Sequence, residues 1–353
     1  MQFEIAYKAD LARNFSGGIT QGNVYLANLD VQLTLNTQQA NWWKGGTFHF
    51  YGLNNHGQSL SALVGDLQVV NNIEALSFTR FYEFWYRHEF EKLTFTLGQY
   101  DLNADFFVSD FGLLFLHSSF GIQPDVSVNV PVSIFPVATL AFWGQWEISP
   151  NWSLLGGVFK GQPGTEEENP NSLLFKFQQE EGTFLVSELH YKPQNEGSAL
   201  GTYKLGFWKH TAADLNLSGQ QPRGVYLIGD YPFPFPQEQQ STKWGAFFQL
   251  GAVQKAAAAI KSYWGFGIVG QHIWGSNIED ALGLAYASAR LTEGYQNRLV
   301  LENTNEAVVE LTYSRSLGSH FSVQPNLQYV LNPSAVSKSS NAWVGMFRFV
   351  FQL

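Results

Sequence analysis

Apolar and polar residues alternate along most of this chain with a period of two, which is the pattern of a β-strand with two different faces. Between Tyr25 and Leu35 every odd position is apolar, and only Leu26 breaks the polar series at the even positions. The same alternation marks both chain ends, over residues 3–11 and 343–353. The pattern predicts about 16 strands, of which the others lie near residues 46–52, 76–90, 92–101, 137–148, 152–160, 182–191, 201–210, 224–231, 243–253, 263–273, 281–290, 305–316 and 320–331.

The apolar face of these strands predicts contact with lipid rather than with a second sheet. Its opposite face carries uncharged polar residues, glycine and single charges, whereas the outer face of a soluble sandwich is rich in charge. Aromatic residues collect near strand ends, as the interfacial girdles of a membrane barrel require. We therefore predict an all-β fold, a single antiparallel transmembrane β-barrel that spans residues 1–353 and is closed so that no strand edge is unpaired. A soluble all-β sandwich or propeller is the alternative.

The connections between predicted strands divide into short and long ones, as in outer-membrane barrels. Tight turns at 91–92, 149–151 and 318–319 are expected on the periplasmic side. The long connections are expected to be extracellular and lie at 53–75, 102–136, 161–181, 211–223, 232–242 and 291–304. The 102–136 connection is unusually long and rich in Phe and Leu, so its exposure to water would be costly. We predict that it folds into the lumen as a constriction loop and narrows the barrel.

Composition narrows the class of protein further. Charged residues make up 14% of the chain, against roughly 25% in soluble proteins, and aromatic residues reach 16%. The net charge of -9 disfavours a nucleic-acid partner, and the absence of cysteine excludes thiolate metal sites, thiol catalysis and disulfides. The chain opens without a basic and then apolar segment, so we expect either a mature exported form or a cytoplasmic protein. The charge-free stretch 126–146 contains Pro131 and Pro136 and predicts a loop that leads into a strand, not a membrane helix.

Three groups of segments carry a family resemblance. They are EAVVELTY (306–313) with VQPNLQY (323–329) and NP (332–333), LGQYDLNADF (97–106), and GTYKLGFWKH (201–210). Together, from about residue 76 to the C-terminus, the sequence resembles the carbohydrate-selective porin family, often called the OprB family. The resemblance implies a 16-stranded barrel in the outer membrane of a Gram-negative bacterium, through which small sugars such as glucose diffuse passively. Leu353 departs from the Phe or Trp that commonly ends such barrels.

A sugar offers hydroxyl groups and apolar C–H faces, so a selective constriction needs forked donors, carboxylate acceptors and aromatic rings. The polar face of strand 76–90 carries Glu83, Trp85 and Arg87, which we predict to bind the sugar. An ion-pair ladder that holds the barrel shape is the structural alternative. Arg80 falls on the apolar face by parity, so either a bulge turns it inward or it lies at the rim.

Asp101, Asn103 and Asp105 follow the next strand at alternate positions. We predict that they anchor the constriction loop by accepting hydrogen bonds from arginines of the barrel wall. A calcium loop is the alternative, although the glycine and glutamate of an EF-hand are missing. Glu310 and Gln328 lie on neighbouring late strands with Glu306, and either face the pore or, for Glu310, pair with a lumenal arginine.

Other classes of function have less support in the sequence. No metalloprotease, nucleophile-elbow or phosphate-binding motif is present, so we predict no enzyme, no cofactor and no metal. A general or organic-anion-selective porin and a purely structural barrel remain alternatives. The expected partners are small sugars, outer-membrane lipid and lipopolysaccharide, the last through an acidic cluster at 166–168, with a homo-oligomer compatible with the sequence.

Overall fold

A computed structural model describes residues 1–164, 169, 171–172, 179–195, 198–212, 221–233, 243–254, 259–333 and 340–353. The acidic cluster at 166–168 lies outside the described residues. The barrel strands, numbered in chain order, are β1 (Gln2–Gly18), β2 (Gly22–Asn36), β3 (Gly46–Gly57), β4 (Phe78–Glu89), β5 (Leu93–Tyr100), β6 (Thr139–Ser149), β7 (Trp152–Lys160), β8 (Thr183–Tyr191), β9 (Thr202–His210), β10 (Arg223–Pro232), β11 (Lys243–Val253), β12 (Ile260–Gln271), β13 (Asp280–Leu291), β14 (Asn305–Ser316), β15 (Phe321–Leu331) and β16 (Ser340–Gln352).

These strands form one closed antiparallel barrel in which each strand pairs with its neighbours in sequence and β1 pairs with β16. Tyr7 stands opposite Phe351, and the backbones of Ile5 and Leu353 exchange two hydrogen bonds where the ends meet. Closure satisfies the backbone groups that an open edge would expose to lipid. The predicted 16-stranded barrel is confirmed. Among the described residues, no helix has the length and hydropathy that a membrane-spanning helix needs.

The two ends of the barrel differ in their connections. Both termini and the tight turns 90–92, 150–151 and 317–320 lie at one end, here called the turn end. The opposite loop end carries the long connections 58–77, 101–138, 161–182, 211–222 and 292–304. The expectation that 232–242 belongs with the long loops is wrong, because this connection follows an even-numbered strand. Antiparallel alternation, not length, determines the end at which a connection lies.

The two faces of the strands have different surroundings. The outward face is apolar, as where Phe50 and Phe84 stack with their ring centroids 4.8 Å apart on the exposed surface. Leu26, the one exception in the alternation of β2, is buried in an apolar cluster with Leu60 and Val64. The exception therefore marks the place where the inward face meets a loop instead of water.

Two connections from the loop end pack against the inward face of the barrel. The shorter, 58–77, contains α1 (Ser61–Val64). The longer, 101–138, contains α2 (Pro124–Ser127) and three 3₁₀ turns (Leu102–Ala104, Gly112–Leu114 and Ser118–Phe120). The remaining elements are α3 (Glu293–Leu299), a fourth 3₁₀ turn (Gln179–Glu181) and a two-stranded ladder (Gln194–Asn195 with Ser198–Ala199). The fold thus includes the predicted inserted loop.

Aromatic side chains join the longer loop to the wall. Phe115 and Phe120 contact Phe247 of β11, with ring centroids 5.6 and 5.9 Å away. Phe106 contacts Trp143 of β6, with ring centroids 5.9 Å apart. The Phe and Leu content of this loop is therefore explained by an apolar core inside the barrel.

Wall glycines make room for the longer loop. A Cβ atom at Gly283 of β13 would lie 2.7 Å from Cζ of Phe115, and one at Gly251 of β11 would overlap the carboxyl group of Asp125. Real Cβ atoms do not approach other atoms so closely, so the loop fits only against a wall without side chains at these positions.

Candidate functional site

Carboxyl groups of the barrel wall accept hydrogen bonds from backbone N–H groups of the longer loop. Glu188 of β8 accepts from the N–H of Phe107 at 2.6 Å, and Glu310 of β14 accepts from the N–H groups of Leu116 and His117 at 2.7 and 3.0 Å. Asp230 of β10 accepts from two backbone N–H groups and one serine hydroxyl group of residues 109–111 in the same loop. A loop buried away from water needs such partners, because an unpaired backbone group is costly there.

Neutral and basic side chains of the wall bind the carbonyl groups of the inserted loops. The side-chain amide of Gln249 donates to the carbonyl of Phe120 at 3.0 Å, and the ammonium group of Lys204 donates to that of Val108 at 2.6 Å. Gln328 of β15 donates to the carbonyl of Val70 in the shorter loop at 3.0 Å. Both inserted loops are thus fixed to the wall at donor and acceptor positions.

Strand β4 contains a bulge next to the predicted sugar-binding residues. The register of β4 against β3 shifts between Phe81 and Glu83, and Tyr82 and Glu83 are both buried although they are neighbours in sequence. As a result Arg80 is buried on the inward side, where it donates to the carbonyl of Pro136 at 3.2 Å. Of the two predicted positions for Arg80, the structure shows the one turned inward by a bulge.

Glu83 of β4 is buried next to Asp101, the first residue of the longer loop. Its carboxyl group accepts from the backbone N–H of Asp101 at 2.8 Å. The neighbouring Tyr82 donates its hydroxyl to the carboxyl group of Asp101 at 2.5 Å. Both side chains therefore hold the first residue of the loop.

Arg87 is held in one orientation by three neighbours. Its Nε donates to the Thr96 hydroxyl at 3.0 Å, and its Nη2 donates to the Tyr100 hydroxyl at 3.0 Å and to Asp105 at 3.2 Å. Tyr100 also donates to Asp105. Among the described residues, no acceptor lies within hydrogen-bond distance of Nη1, and the Arg87 and Asp105 side chains are 24% and 31% exposed. The guanidinium group thus keeps two donors that can bind a solute.

Aromatic rings surround this guanidinium group. The Arg87 carbon lies 4.9 Å from the ring centroid of Trp85 and 5.0 Å from that of Trp143. His49 of β3 stacks on Trp85 with a centroid distance of 4.7 Å and an interplanar angle of 18°. Such contacts stabilise a cation and fix its direction. Donor, acceptor and aromatic faces therefore occur together at one point of the wall.

Asp101 and Asn103 form the turn that begins the longer loop. Asp101 accepts from the backbone N–H of Asn103 at 2.8 Å, and the Asn103 amide donates to the carbonyl of Phe106 at 3.1 Å. Burial raises the pKa of Asp101 to about 6, although its hydrogen bonds with Tyr82 and Asn103 act in the opposite direction. In the part of the chain that the structure describes, no three His, Asp or Glu side chains gather as a metal site.

The structure separates the predicted site residues into two groups. Trp85, Arg87 and Asp105 lie together and are partly exposed. The buried group, comprising Arg80, Glu83, Glu310 and Gln328, contacts the inserted loops. The partners of Glu310 are loop N–H groups and Asn326, not an arginine.

Sequence reasoning did not select several residues that shape the lumen. His49, Tyr82, Glu188 and Asp230 were missed. Glu188 and Asp230 could have been found as the only carboxylates of β8 and β10, which strand parity places on the inward side. Nothing in the sequence marks Tyr82, because its inward position depends on the bulge.

The fold and site define an outer-membrane porin, a closed 16-stranded barrel whose lumen is narrowed by an inserted loop. Residues 20–353 match the model of the family described as carbohydrate-selective porin, OprB family. The chain therefore belongs to this family, whose members are channels for carbohydrates in the outer membrane of Gram-negative bacteria. It is 22% identical over 394 residues to Porin B of Pseudomonas aeruginosa, covering 97% of this chain and 85% of that protein.

Solved structures share the fold. The high-pH structure of Pseudomonas putida OprB matches with a TM-score of 0.87 at 20% identity, covering 100% of this chain and 94% of the other. The low-pH structure of the same protein matches with a TM-score of 0.65 at 16% identity, with coverages of 100% and 92%.

Proposed function

We propose that this porin passes monosaccharides such as glucose by passive diffusion, with Trp85, Arg87 and Asp105 as the residues that contact the sugar. The observation that carries the proposal is the fixed guanidinium group of Arg87, whose Nη1 is not used by the described residues. A sugar hydroxyl can accept from Nη1 and donate to Asp105, while an apolar C–H face of the ring lies against Trp85. Transport needs no covalent step and no cofactor in this proposal, because weak binding followed by release is sufficient.

The charge of the site supports a neutral solute. Arg87 and Asp105 form an ion pair with an N–O distance of 3.2 Å, so the pair carries little net charge. An anion would be attracted by Arg87 and repelled by Asp105, whereas a hydroxyl group can use both. A general or organic-anion-selective porin is the competing function.

Single-channel conductance in planar bilayers tests the proposal. We expect glucose to reduce the ion current in a saturable way and gluconate to have a weaker effect. Arg87→Gln should weaken apparent glucose affinity about tenfold, because a hydrogen bond from a charged donor contributes roughly 1.5–3 kcal/mol. Trp85→Ala should also weaken it, while Arg298→Gln in α3 serves as the control. A current that responds to gluconate but not to glucose would contradict the proposed solute.

We also propose that copies of the barrel associate through the outward face of β1–β3. On this face the hydroxyl groups of Tyr7 and Tyr25 form a hydrogen bond of 2.5 Å, and Nε2 of His56 lies 3.1 Å from the Tyr7 oxygen. A polar network on a lipid-facing wall favours a protein neighbour, because lipid offers no hydrogen-bond partner. Mass measurement in detergent should show an oligomer that a Tyr7→Phe, His56→Leu variant loses. A monomeric parent protein would refute the association.

A further inference from the structure

Basic residues collect on the outward face at the loop end of strands β9, β10, β12 and β13. Lys209 of β9 and Arg223 of β10 are direct cross-strand partners. Arg290 of β13 pairs with Ser262 of β12, and a register shift between Ile260 and Ser262 leaves the exposed Lys261 as an extra residue beside this pair. We call Lys209, Arg223, Lys261 and Arg290 the basic arc. With neighbouring strands about 4.8 Å apart, the arc spans roughly 20 Å of the barrel circumference.

The basic arc faces the membrane and not the lumen. Phe207 and Val225 lie two positions from Lys209 and Arg223 on the same face of their strands, and they are 45% and 51% exposed. Because outer-membrane barrels carry their long loops outside the cell, the arc lies at the level of the outer leaflet headgroups.

The cations of the arc have no carboxylate partners among the described residues. None of the ion pairs of the described part of the chain includes a member of the arc. The outward positions at the loop ends of β9–β13 hold no Asp or Glu. Since the whole chain has a net charge of -9, the arc is not a consequence of a basic composition.

An apolar groove continues from the arc along the lipid-facing wall. It has a volume of about 440 Å³ and is lined by residues including Phe207, Arg223, Val225 and Ala252. The side-chain oxygen of Gln254 accepts from Nε of Arg223 and holds the guanidinium group at the groove. A second groove of about 530 Å³ is lined in part by the exposed Arg13 of β1. Cation and apolar groove thus occur together twice on this surface.

We propose that the basic arc binds the phosphate groups of a phosphorylated glycolipid of the outer leaflet, with the chemistry of lipid A. One acyl chain of this lipid lies in the groove below Arg223. Arginine and lysine bind phosphate through charge-assisted hydrogen bonds, and Arg223 and Arg290 can use two donors at once. This inference depends on the outer-membrane location and not on the identity of the transported sugar.

Native mass spectrometry of the detergent-solubilised barrel tests the proposal, with diphosphoryl lipid A as the probe. Each cation beside an anionic lipid contributes roughly a fivefold factor in affinity. The variant that combines Lys209→Gln, Arg223→Gln, Lys261→Gln and Arg290→Gln should therefore bind roughly six hundredfold more weakly. Dephosphorylated lipid A should bind the parent protein as weakly as diphosphoryl lipid A binds the variant. Inorganic phosphate should not compete at equal concentration, because it lacks the acyl chains.

Two further variants make the result interpretable. A control variant combines Lys44→Gln, Lys92→Gln and Lys192→Gln. It removes three cations at the turn end and should leave lipid A binding unchanged. A charge-preserving exchange of Lys and Arg at the four arc positions should retain binding. Heat-modifiable gel mobility shows whether each variant forms a barrel. If the folded arc variant binds diphosphoryl lipid A like the parent protein, the proposal is refuted.

Discussion

Burial shifts the pKa values of two side chains of the longer loop in opposite directions. Asp125 lies against Gly251 and faces the hydroxyl-bearing rings of Tyr226 and Tyr263, and burial raises its pKa from 3.8 to about 7. Burial lowers the pKa of His117 from 6.5 to about 3. Asp125 therefore contributes to the stability of the folded protein below pH 4, and this contribution is lost as the pH rises to 7. His117 contributes to stability above pH 6.5, and its contribution is lost as the pH falls toward 3.

Asp125→Asn should remove the loss of stability between about pH 4 and pH 7, because an amide remains neutral where the carboxyl group ionises. We expect the variant to unfold at a higher temperature than the parent protein at pH 8 and at a similar temperature at pH 4. Thermal unfolding followed by circular dichroism measures this difference. Asp110→Asn, at an exposed position of the same loop, is the control. Parallel pH profiles for Asp125→Asn and the parent protein would contradict the assignment.

Gly283→Ala should disturb the fit between wall and loop. The added Cβ would lie 2.7 Å from Phe115 and 2.9 Å from Leu114, and such overpacking costs typically about 1–3 kcal/mol. We expect a lower urea midpoint and a less regular single-channel current. Gly156→Ala is the matched control, since its Cβ meets only the carbonyl oxygen of Val186 at 4.0 Å. Equal midpoints for the two variants would show that the loop does not press on the wall at Gly283.

At the scale of elements, the longer loop is held by hydrogen bonds to several strands. Phe107 shows the effect on the backbone, because it adopts a left-handed conformation with φ of 65°. Its N–H donates to Glu188 and its ring stacks on Tyr226 with centroids 4.0 Å apart. A strained residue persists when its surroundings fix it from several sides. The lumenal position of the loop is therefore a result of specific contacts and not of collapse alone.

Glu310→Gln should loosen the middle of the loop while leaving the barrel intact. The amide keeps one acceptor oxygen but brings an N–H group toward the N–H groups of Leu116 and His117. Loss of a hydrogen bond to a charged acceptor lowers the free energy that protects these backbone amides from exchange by about 1.5 kcal/mol. Their hydrogen–deuterium exchange should therefore be roughly tenfold faster. Hydrogen–deuterium exchange of a peptide covering both residues measures it. Glu302→Gln, at an exposed loop position, should show no change, and unaltered exchange in Glu310→Gln would remove Glu310 from the set of anchors.

The strands could be predicted from sequence because lipid outside and polar groups inside impose a period of two on every wall segment. The bulge at Tyr82 could be predicted only as one of two explanations for Arg80 on the apolar face, since alternation does not show where an extra residue is inserted. The contacts of Glu310 with Leu116 were also beyond prediction, because alternation gives the face of a residue but not its partner across the lumen. Leu26 interrupts the alternation of β2, and its contacts with the shorter loop explain this exception.

At the scale of the whole molecule, the contacts of the longer loop predict a channel of fixed shape. Anchors from β8 to β15 hold it, and apolar clusters fill the space between loop and wall. Such a loop should stay in place while solutes pass. A mobile gate would instead need a segment with few buried contacts.

A disulfide between loop and wall tests whether the channel works without loop movement. The chain has no cysteine, so Asp125→Cys with Gly251→Cys adds one defined pair, and a Cβ at Gly251 would lie 2.5 Å from Cγ of Asp125. Because the Asp125→Cys exchange removes the carboxyl group that a Cβ at position 251 would overlap, we expect the bond to form with little displacement. Conductance and its reduction by glucose should then be the same before and after dithiothreitol. Each single-cysteine variant controls for the loss of the carboxyl group or the glycine. A current that rises or falls on reduction only in the double variant would show that the loop moves during transport.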